Sequence, residues 1–411
     1  MPLRISNGWP FIVDDPQPAA RTGIEVRVYD GQNPATLIDI VARSRDRTWL
    51  DQRSDIGRGE FMVHASDEVL QRHPTLLQSG NIVRFRLDGI DRFAFVITRR
   101  ERVRVSAGEH AGSWIKVSGP GVLALLHTAL LYRIGNTLDG GITRGTDNQN
   151  AGNFLSIMFD QAQDRGCLGG VTRSFDADVD SNNHPWADIF AYHERAGTTL
   201  LATAKRLAEL AVDIGMSPQL VFNVWNSQGV DRSFQTVDEA PIILREAHNI
   251  SALEVAADGD IVNTLLIEGA DEALWAERQN ATSITTYGRR EGFLSLTNED
   301  SDTYITQAAD ATLDHHASDA EHLTLEILDV DDHRPYANFG LGDWVLAPNE
   351  AGQLARVRIG SITVSEDAHG NPKFTVEVGT VLAEIEERFM RWLRRVGDGT
   401  LGGTAAGVSS I

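Results

Sequence analysis

Short runs of alternating apolar and polar residues, each closed by a turn signal, fill most of the chain up to residue 117. A period of two over four to eight residues is the mark of a half-buried strand, so this stretch is restricted to small antiparallel sheets. The runs are Ile24 to Tyr29, Leu37 to Val41, Gly59 to His64, Ile82 to Leu87, Arg92 to Ile97, Val103 to Val105 and Trp114 to Val117. Asp88-Gly89 and Ala107-Gly108 punctuate them, and a short helix is expected at 67–72. Seven such strands in about a hundred residues predict a first β-barrel or sandwich unit over 23–134. It ends in a helix that enters at Gly119-Pro120-Gly121 and runs from Val122 to about Tyr132.

The pattern then changes. Residues 135–152 are Gly, Asn, Asp and Thr with almost no large apolar side chain, which predicts a flexible loop. An α/β insert follows over 153–249, with helices near 153–164 and from Thr199 to Ile214, where apolar residues at 200, 201, 204, 207, 208 and 211 make one buried face. Gly215 is expected to stop that helix, and Leu220–Trp225 with Arg232–Val237 to form a hairpin. A second antiparallel unit is expected over 250–380, with strands at 251–257, 261–268, 322–328, 343–347, 354–364 and 373–379 and a long helix at 302–317. The remainder reads as an irregular N-terminal arm at 1–22, a C-terminal helix at 381–396 and a flexible tail at 397–411. The expected fold class is mixed, β-rich α+β: two small antiparallel β-barrel domains, an α/β insert between them, and a C-terminal helix.

The two units echo each other. Gly80-Asn81-Ile82-Val83 and Gly342-Asp343-Trp344-Val345 each open a strand, and each is followed, 17 residues after the glycine, by an isoleucine in a second alternating strand, Ile97 and Ile359. Gly80, Val83, Ile97, Gly342, Val345 and Ile359 are therefore the positions of a repeated barrel strand pair.

Composition narrows the function. The chain has 37 Lys and Arg against 58 Asp and Glu, a formal charge of −21. Grip on a nucleic-acid backbone needs basic groups that release counterions, so stable nucleic-acid binding is not expected. The single cysteine, Cys167, excludes an internal disulfide or a multi-cysteine metal site. No window approaches the roughly 18 apolar residues of a membrane span. The N-terminus, MPLRISNGWPFIVDD, has neither signal-peptide nor transit-peptide character, so a chain made in the cytosol without an address label is expected.

No motif points to catalysis or to a cofactor. His315-His316, with Asp310 and Asp314, offers metal-ligand types, but neighbouring side chains on a helix diverge by about 100° and cannot chelate together. Asp329, Asp331, Asp332 and His333 begin like a calcium loop without the required glycine and distal glutamate. GxSxG, Walker A and HExxH strings are missing, as is a GxGxxG after a strand. Thr286-Tyr287-Gly288-Arg289-Arg290-Glu291 sets two arginines and a glutamate behind a glycine. Arg289, Arg290 and Glu291 are candidates for an inter-subunit ion-pair corner, because arginine can fork onto a carboxylate; the alternative is an ordinary surface turn.

Three stretches resemble the central hub proteins of phage tail tips and baseplates, especially the minor tail proteins of siphophages that infect actinobacteria. They are Leu77–Phe85 with Arg92-Phe93 running into Val117–Leu123, the Tyr287–Glu291 string, and Gly342–Val345. The resemblance implies a non-enzymatic virion protein at the distal end of the tail: a homotrimer that adapts a six-fold tail tube to a three-fold tip and lines the DNA channel. It implies as partners a distal tail protein ring, the C-terminus of the tape-measure protein, and tip or fibre minor tail proteins, with DNA present only in transit. The acidity suits a lumen that lets DNA slide without sticking. Two other readings remain open. One is a cell-wall hydrolase using Asp176, Asp178, His184 and His193; the other is a host-glycan-binding tail protein using exposed tryptophans such as Trp186.

Overall fold

The structure is a computed structural model; it describes residues 23–105, 112–132, 143–210, 212–235, 240–258, 261–269, 275–296, 302–317, 320–330, 333–349, 352–367 and 369–379. The arm at 1–22, the C-terminal helix at 381–396 and the tail at 397–411 lie outside these residues.

Eight strands form the first unit: β1 (Glu25–Tyr29), β2 (Leu37–Ile40), β3 (Arg45–Gln52), β4 (Arg58–His64), β5 (Ile82–Leu87), β6 (Ile90–Val96), β7 (Arg99–Val105) and β8 (Gly112–Pro120), with helix α1 (Glu68–Arg72) after β4. The expected strands are all present, and the sequence reading missed β3, whose string RDRTWLDQ is mostly polar. It is a strand because Trp49, only 1% exposed, anchors it: the indole stacks on Phe85 at 5.1 Å and on Phe93 at 6.5 Å.

The insert contains a 3-10 helix at Val122–Thr128, where a longer helix was expected, then β9 (Thr143–Gln149), α2 (Ala151–Asp164), β10 (Thr172–Arg173), β11 (Phe190–Arg195), α3 (Leu200–Leu210), β12 (Asp213–Met216) and β13 (Val221–Trp225). Three expectations are corrected. Part of the polar 135–152 stretch is a strand, β9, paired antiparallel with β11, and Asn150 caps α2 by accepting from the Asn153 N–H. The helix over 199–214 ends at Leu210, and Gly215 lies inside β12. The partner of β13 is β12, antiparallel, with β10 parallel on its other side; Arg232–Gln235 is no strand. Helical spacing could not reveal the break after Leu210, since Val212 and Ile214 continue an apolar pattern that suits either period.

The remainder comprises β14 (Ile250–Asp258), β15 (Thr264–Glu268), β16 (Trp275–Gln279), α4 (Ala281–Tyr287), β17 (Glu291–Ser295), α5 (Asp302–His316), β18 (Ala320–Ile327), β19 (Trp344–Pro348), β20 (Leu354–Glu366) and β21 (Pro372–Gly379). Strands β16-β15-β17 and helix α5 enclose a small core of their own, built on Leu265, Ile267, Leu294, Ile305, Ala309 and Leu313. This lobe is an insertion at the turn between β14 and β18.

The chain is β-rich, with several antiparallel sheets and few helices, and no closed barrel occurs among the described residues. In place of two separate barrels, the two units join edge to edge. One sheet runs β14-β18-β21-β20-β3-β4-β8-β7, with β19 paired to the first part of β20. The order is a tandem repeat: β3-β4-β8-β7 from the first unit follows β14-β18-β21-β20 from the second. The matching extends to details. Phe61 faces Val117 and Leu325 faces Val376, all four buried, and β3 and β14 each have a register shift near their start, between Arg45 and Thr48 and between Ile250 and Ala252. A second sheet, β2-β1-β5-β6, covers the first unit, and a single hydrophobic core contains residues from both units, Val26, Trp49, Phe61 and Phe85 with Leu325, Val345, Ile362 and Val376.

The repeated glycines make the same corner twice. Gly80 has φ 96° and Gly342 φ 85°. Gly80 N–H donates to Ile97 O at 2.9 Å and Gly342 N–H to Ile359 O at 3.0 Å, while Ile97 and Ile359 N–H return to Asn81 O and Asp343 O, both at 2.9 Å. Val83, Val345, Ile97 and Ile359 are fully buried behind these corners. Each corner is pressed by another glycine whose backbone is held by the residue after the corner: Asn81 Oδ1 accepts from Gly31 N–H, and Asp343 Oδ1 from Val230 N–H beside Gly229. A Cβ on Gly31 would sit 2.1 Å from Gly80 O, and one on Gly229 2.4 Å from Gly342 C. Since backbone cannot yield as a side chain tip can, Gly31→Ala and Gly229→Ala are each expected to cost about 2 kcal/mol or more, measured by chemical denaturation. Gly352→Ala, at a positive φ but with open space around it, should cost about 1 kcal/mol.

Candidate functional surface

Three features of the joined sheet bear on function: the seam between the units, the face turned away from the core, and the two free edges.

The seam is the antiparallel pairing of β20 with β3, Ser361 to Ser365 against Gln52 to Thr48. Side chains reinforce it. Thr48 Oγ1 donates to Val364 O at 3.0 Å, Arg47 pairs with Glu366 at 2.8 Å, and Trp49 Nε1 donates to the Tyr336 hydroxyl at 3.2 Å. The insert is clamped onto the same seam by Asp213 of β12, which accepts from Arg53 Nη1 at 3.1 Å, Ser54 Oγ at 3.1 Å, Gln228 N–H at 2.7 Å and Arg358 Nη2 at 2.5 Å. Burial by itself would raise this carboxyl, but the charges of Arg53 and Arg358 outweigh burial and hold it below the ordinary carboxylate range.

Asp51 behaves in the opposite way. The residue keeps some exposed surface, yet its carboxyl is crowded enough that desolvation pushes it up to about 7, against hydrogen bonds from the Tyr336 hydroxyl and the Gln52 N–H. Asp51 and Arg92 line a cleft of about 240 Å³ between the first unit and the insert. That is smaller than the roughly 300 to 1,000 Å³ of ordinary ligand pockets, and it does not argue for a small-molecule site.

Alternation along each strand places one set of side chains in the core and the other on the opposite face. That face is polar. Glu60 pairs with Lys116 at 2.8 Å, Glu326 with Lys373 at 2.9 Å, Glu101 with Arg99, and Glu377 accepts from Ser361 Oγ at 2.7 Å. Thr363 and Thr375 lie between them. Local pairing thus matches several of its charges, and the overall acidity of the chain is not concentrated here.

The free edges of the sheet among the described residues are β7 and β14. Arg99, Arg100, Arg102 and Arg104 of β7 are exposed, whereas β14 carries Glu254, also exposed, and Asp258.

The other residues singled out from the sequence are distributed over the molecule. Arg289 follows α4 and bridges Glu277 at 2.9 Å and Glu291 at 2.7 Å within the chain, which holds β16 to β17. Arg290 contributes backbone, its N–H to Asn263 Oδ1 and its carbonyl to the Asn263 and Thr264 N–H groups. Asp310 is forked by Arg278 at 2.9 and 2.5 Å, and Asp329 pairs with Arg334 at 2.9 Å. Asp176 is occupied by the N–H groups of Asp178 and Val179, a turn that lowers its carboxyl, and the His184 N–H donates to Asp180 Oδ1. Trp186 is not an exposed platform: its ring packs edge-on to Phe175, and its Nε1 donates to Asp176 O. Cys167 is half-buried beside the insert core. Asp331 and Asp332 lie outside the described residues. The seam itself was missed from sequence; the only signal was Trp49 in an otherwise polar run.

No protein-family model and no curated protein matches this sequence. Solved structures do match its fold. A prophage tail protein, gp18, from Listeria monocytogenes aligns over 90% of this chain and 99% of its own, with TM-score 0.56 at 12% identity. The 43 kDa tail protein of prophage MuSo2 from Shewanella oneidensis covers 86% of this chain and 98% of its own, with TM-score 0.55 at 14% identity. A tail protein from Neisseria meningitidis covers 87% and 97%, with TM-score 0.53 at 12% identity. At such identity the likeness is one of fold, and the fold this chain shares is that of tail proteins.

Asp51 supplies a test of the seam. Folded protein holds this proton up to about pH 7 while the unfolded chain releases it near pH 4, so folding binds a proton in between and stability falls as pH rises across that window. Asp51→Asn is expected to raise the thermal midpoint at about pH 8 and to leave it nearly unchanged at about pH 4. Equal shifts at both values, read by calorimetry, would contradict the assignment.

Proposed function

We propose that this chain is a structural component of a phage tail, the trimeric central hub of the tail tip, which adapts a six-fold tail tube to a three-fold end and lines the DNA channel. The observation that carries the reading is the tandem four-strand module. One chain contains the same module twice, joined side by side, so three chains present six near-equivalent modules and can meet a six-fold ring above by repeating one contact. The shared fold of tail proteins supports it. On this reading the sheet closes only in the ring, which accounts for two open modules where closed barrels were expected. Its neighbours are the distal tail protein ring, the end of the tape-measure protein, and tip or fibre proteins, and its role is not enzymatic.

The face away from the core suits the channel wall. DNA in transit is held by unmatched basic groups, and here Lys116 and Lys373 are each already paired with a glutamate. Arg289, Arg290 and Glu291 remain candidates for a contact between subunits, since Arg289 and Glu291 keep exposed surface.

Quantitative mass spectrometry of density-purified particles tests the hub: about three copies per virion are expected, and absence from intact virions overturns the reading. For the channel wall, Glu60→Lys, Glu326→Lys and Glu377→Lys combined should turn that face basic and slow genome ejection; assembled particles that eject at the parental rate would remove it from the lumen.

A further inference from the structure

We infer that the outer face of β19 and of β20 at Leu354–Arg358 is the docking site of this chain's own residues 381–385, in the place that the 3-10 helix Val122–Thr128 takes on the first module. The inference goes beyond the hub reading and does not depend on it, since it concerns a single chain.

The repeat identifies the face. The corner glycines match β5 with β19 and β6 with the first part of β20, and the pairing agrees: Ile82 faces Val96 and Arg84 faces Ala94, as Trp344 faces Arg358 and Leu346 faces Arg356. In the first module Ile82 and Ala94 are buried in one core with Val122, Leu123 and Leu126 of the 3-10 helix, which lies against β6. The corresponding face of the second module is far more open. Leu354 is 46% exposed, the Arg356 side chain is 49% exposed, and Trp344 and Leu346 are only half-buried.

The occupant follows from where the described residues stop. Val117 of β8 matches Val376 of β21, since Phe61 faces the one and Leu325 the other. Carried forward, that register puts Gly379, the last described residue, in the place of Pro120, and Val381-Leu382-Ala383-Glu384-Ile385 in the place of Val122-Leu123-Ala124-Leu125-Leu126. The string Val-Leu-Ala is identical in both. The buried positions Val122, Leu123 and Leu126 correspond to apolar Val381, Leu382 and Ile385, while the exposed His127 and Thr128 correspond to Glu386 and Glu387. The correspondence stops at Arg388, which falls on buried Ala129. Only Thr380 separates Gly379 from Val381, a reach of about 7 Å at full extension. Val378 already faces Ile359, next to Arg358, so the segment leaves its strand beside this face.

Both partners change character together. On the first module the contact sets apolar side chains on Ala94 and Val96; on the second these positions are Arg356 and Arg358, and Glu384 replaces Leu125. Exchange of an apolar contact for opposite charges on both sides is what facing groups require. Val381, Leu382 and Ile385 supply the apolar area that covers Trp344 and Leu354.

Photocrosslinking of the full chain tests the inference. With p-benzoylphenylalanine in place of Leu382, irradiation should join that position to the peptides carrying Trp344–Pro348 or Leu354–Arg358, and the product should still run as a single chain on a denaturing gel. A dimer band containing the same peptides would seat the segment on a second copy and overturn the inference, as would crosslinks confined to other peptides or no crosslink. Hydroxyl-radical footprinting reads the face itself. Leu382→Asp with Ile385→Asp should raise oxidation of Trp344 and Leu354 several-fold and leave Leu37, exposed on β2, unchanged; equal oxidation of Trp344 and Leu354 in both proteins contradicts the docking. The crosslink decides alone if the double variant does not fold.

Discussion

The five paired residues that join β20 to β3 are the constraint on which the remainder of the structure depends. A four-stranded sheet has two edges and an incompletely covered face, and such a unit gains stability from each edge it pairs. The seam removes one edge from each module at once. It also brings Trp49, Ile362 and Val364 together in a single core, so neither module has a core that is its own. The insert is built around this seam rather than beside it. Asp213 takes two arginines, Arg53 from the end of β3 and Arg358 from β20, and so records the position of both modules in one buried carboxylate. Removing one partner of such a cluster would leave charge buried without compensation, the costly way to break an ion pair.

What sequence could reveal followed from locality. Most strands of the two units were legible because alternation marks a strand that buries one face, as were α2 and α5, whereas β3 and, in the lobe, β16, α4 and β17 were not. The corner glycines were legible as an echo because a positive φ, a returning hydrogen bond and a buried isoleucine 17 residues away all require particular residue types at fixed spacing. The joining of the modules was not legible, because edge pairing is made by backbone groups that every residue carries. β3 was missed for the same reason: its outward positions are polar, and only Trp49 betrays the core. The Leu210 break and β12 were hidden by an apolar run compatible with two periods. In the candidate surface, Arg289, Arg290 and Glu291 were expected at an ion-pair corner between subunits; within the chain Arg289 pairs with Glu291 and with Glu277, which lies on another strand and could not have been named. Asp176 and Trp186 drew a functional reading from their residue types alone, and their geometry gives them structural work in a turn and a packing contact.

The insertions occur where the repeat tolerates them. β3 and β4 are joined by five residues, whereas the corresponding connection from β14 to β18 contains an entire lobe with its own small core. The larger α/β insert enters after β8, where the first module's last strand has finished its pairing. Both additions leave the strand order unchanged, because each sits between strands rather than within one. The lobe packs its apolar residues internally and borrows little from the main core. Growth of this kind adds surface without altering the shared sheet.

The seam also sets the order in which the chain can become native during synthesis. Thr48 must wait for Ser365, and Trp49 for Val364, residues made more than three hundred positions later. At about 5 to 20 residues per second, that interval is roughly 15 to 60 s, during which β3 has an unpaired edge and half of a core to cover. Pairings so distant in sequence close slowly. The nascent N-terminal module is therefore the segment most exposed to wrong strand partners on a crowded polysome, and its protection at that stage rests on the polar outward face of β3 and the charges that follow it.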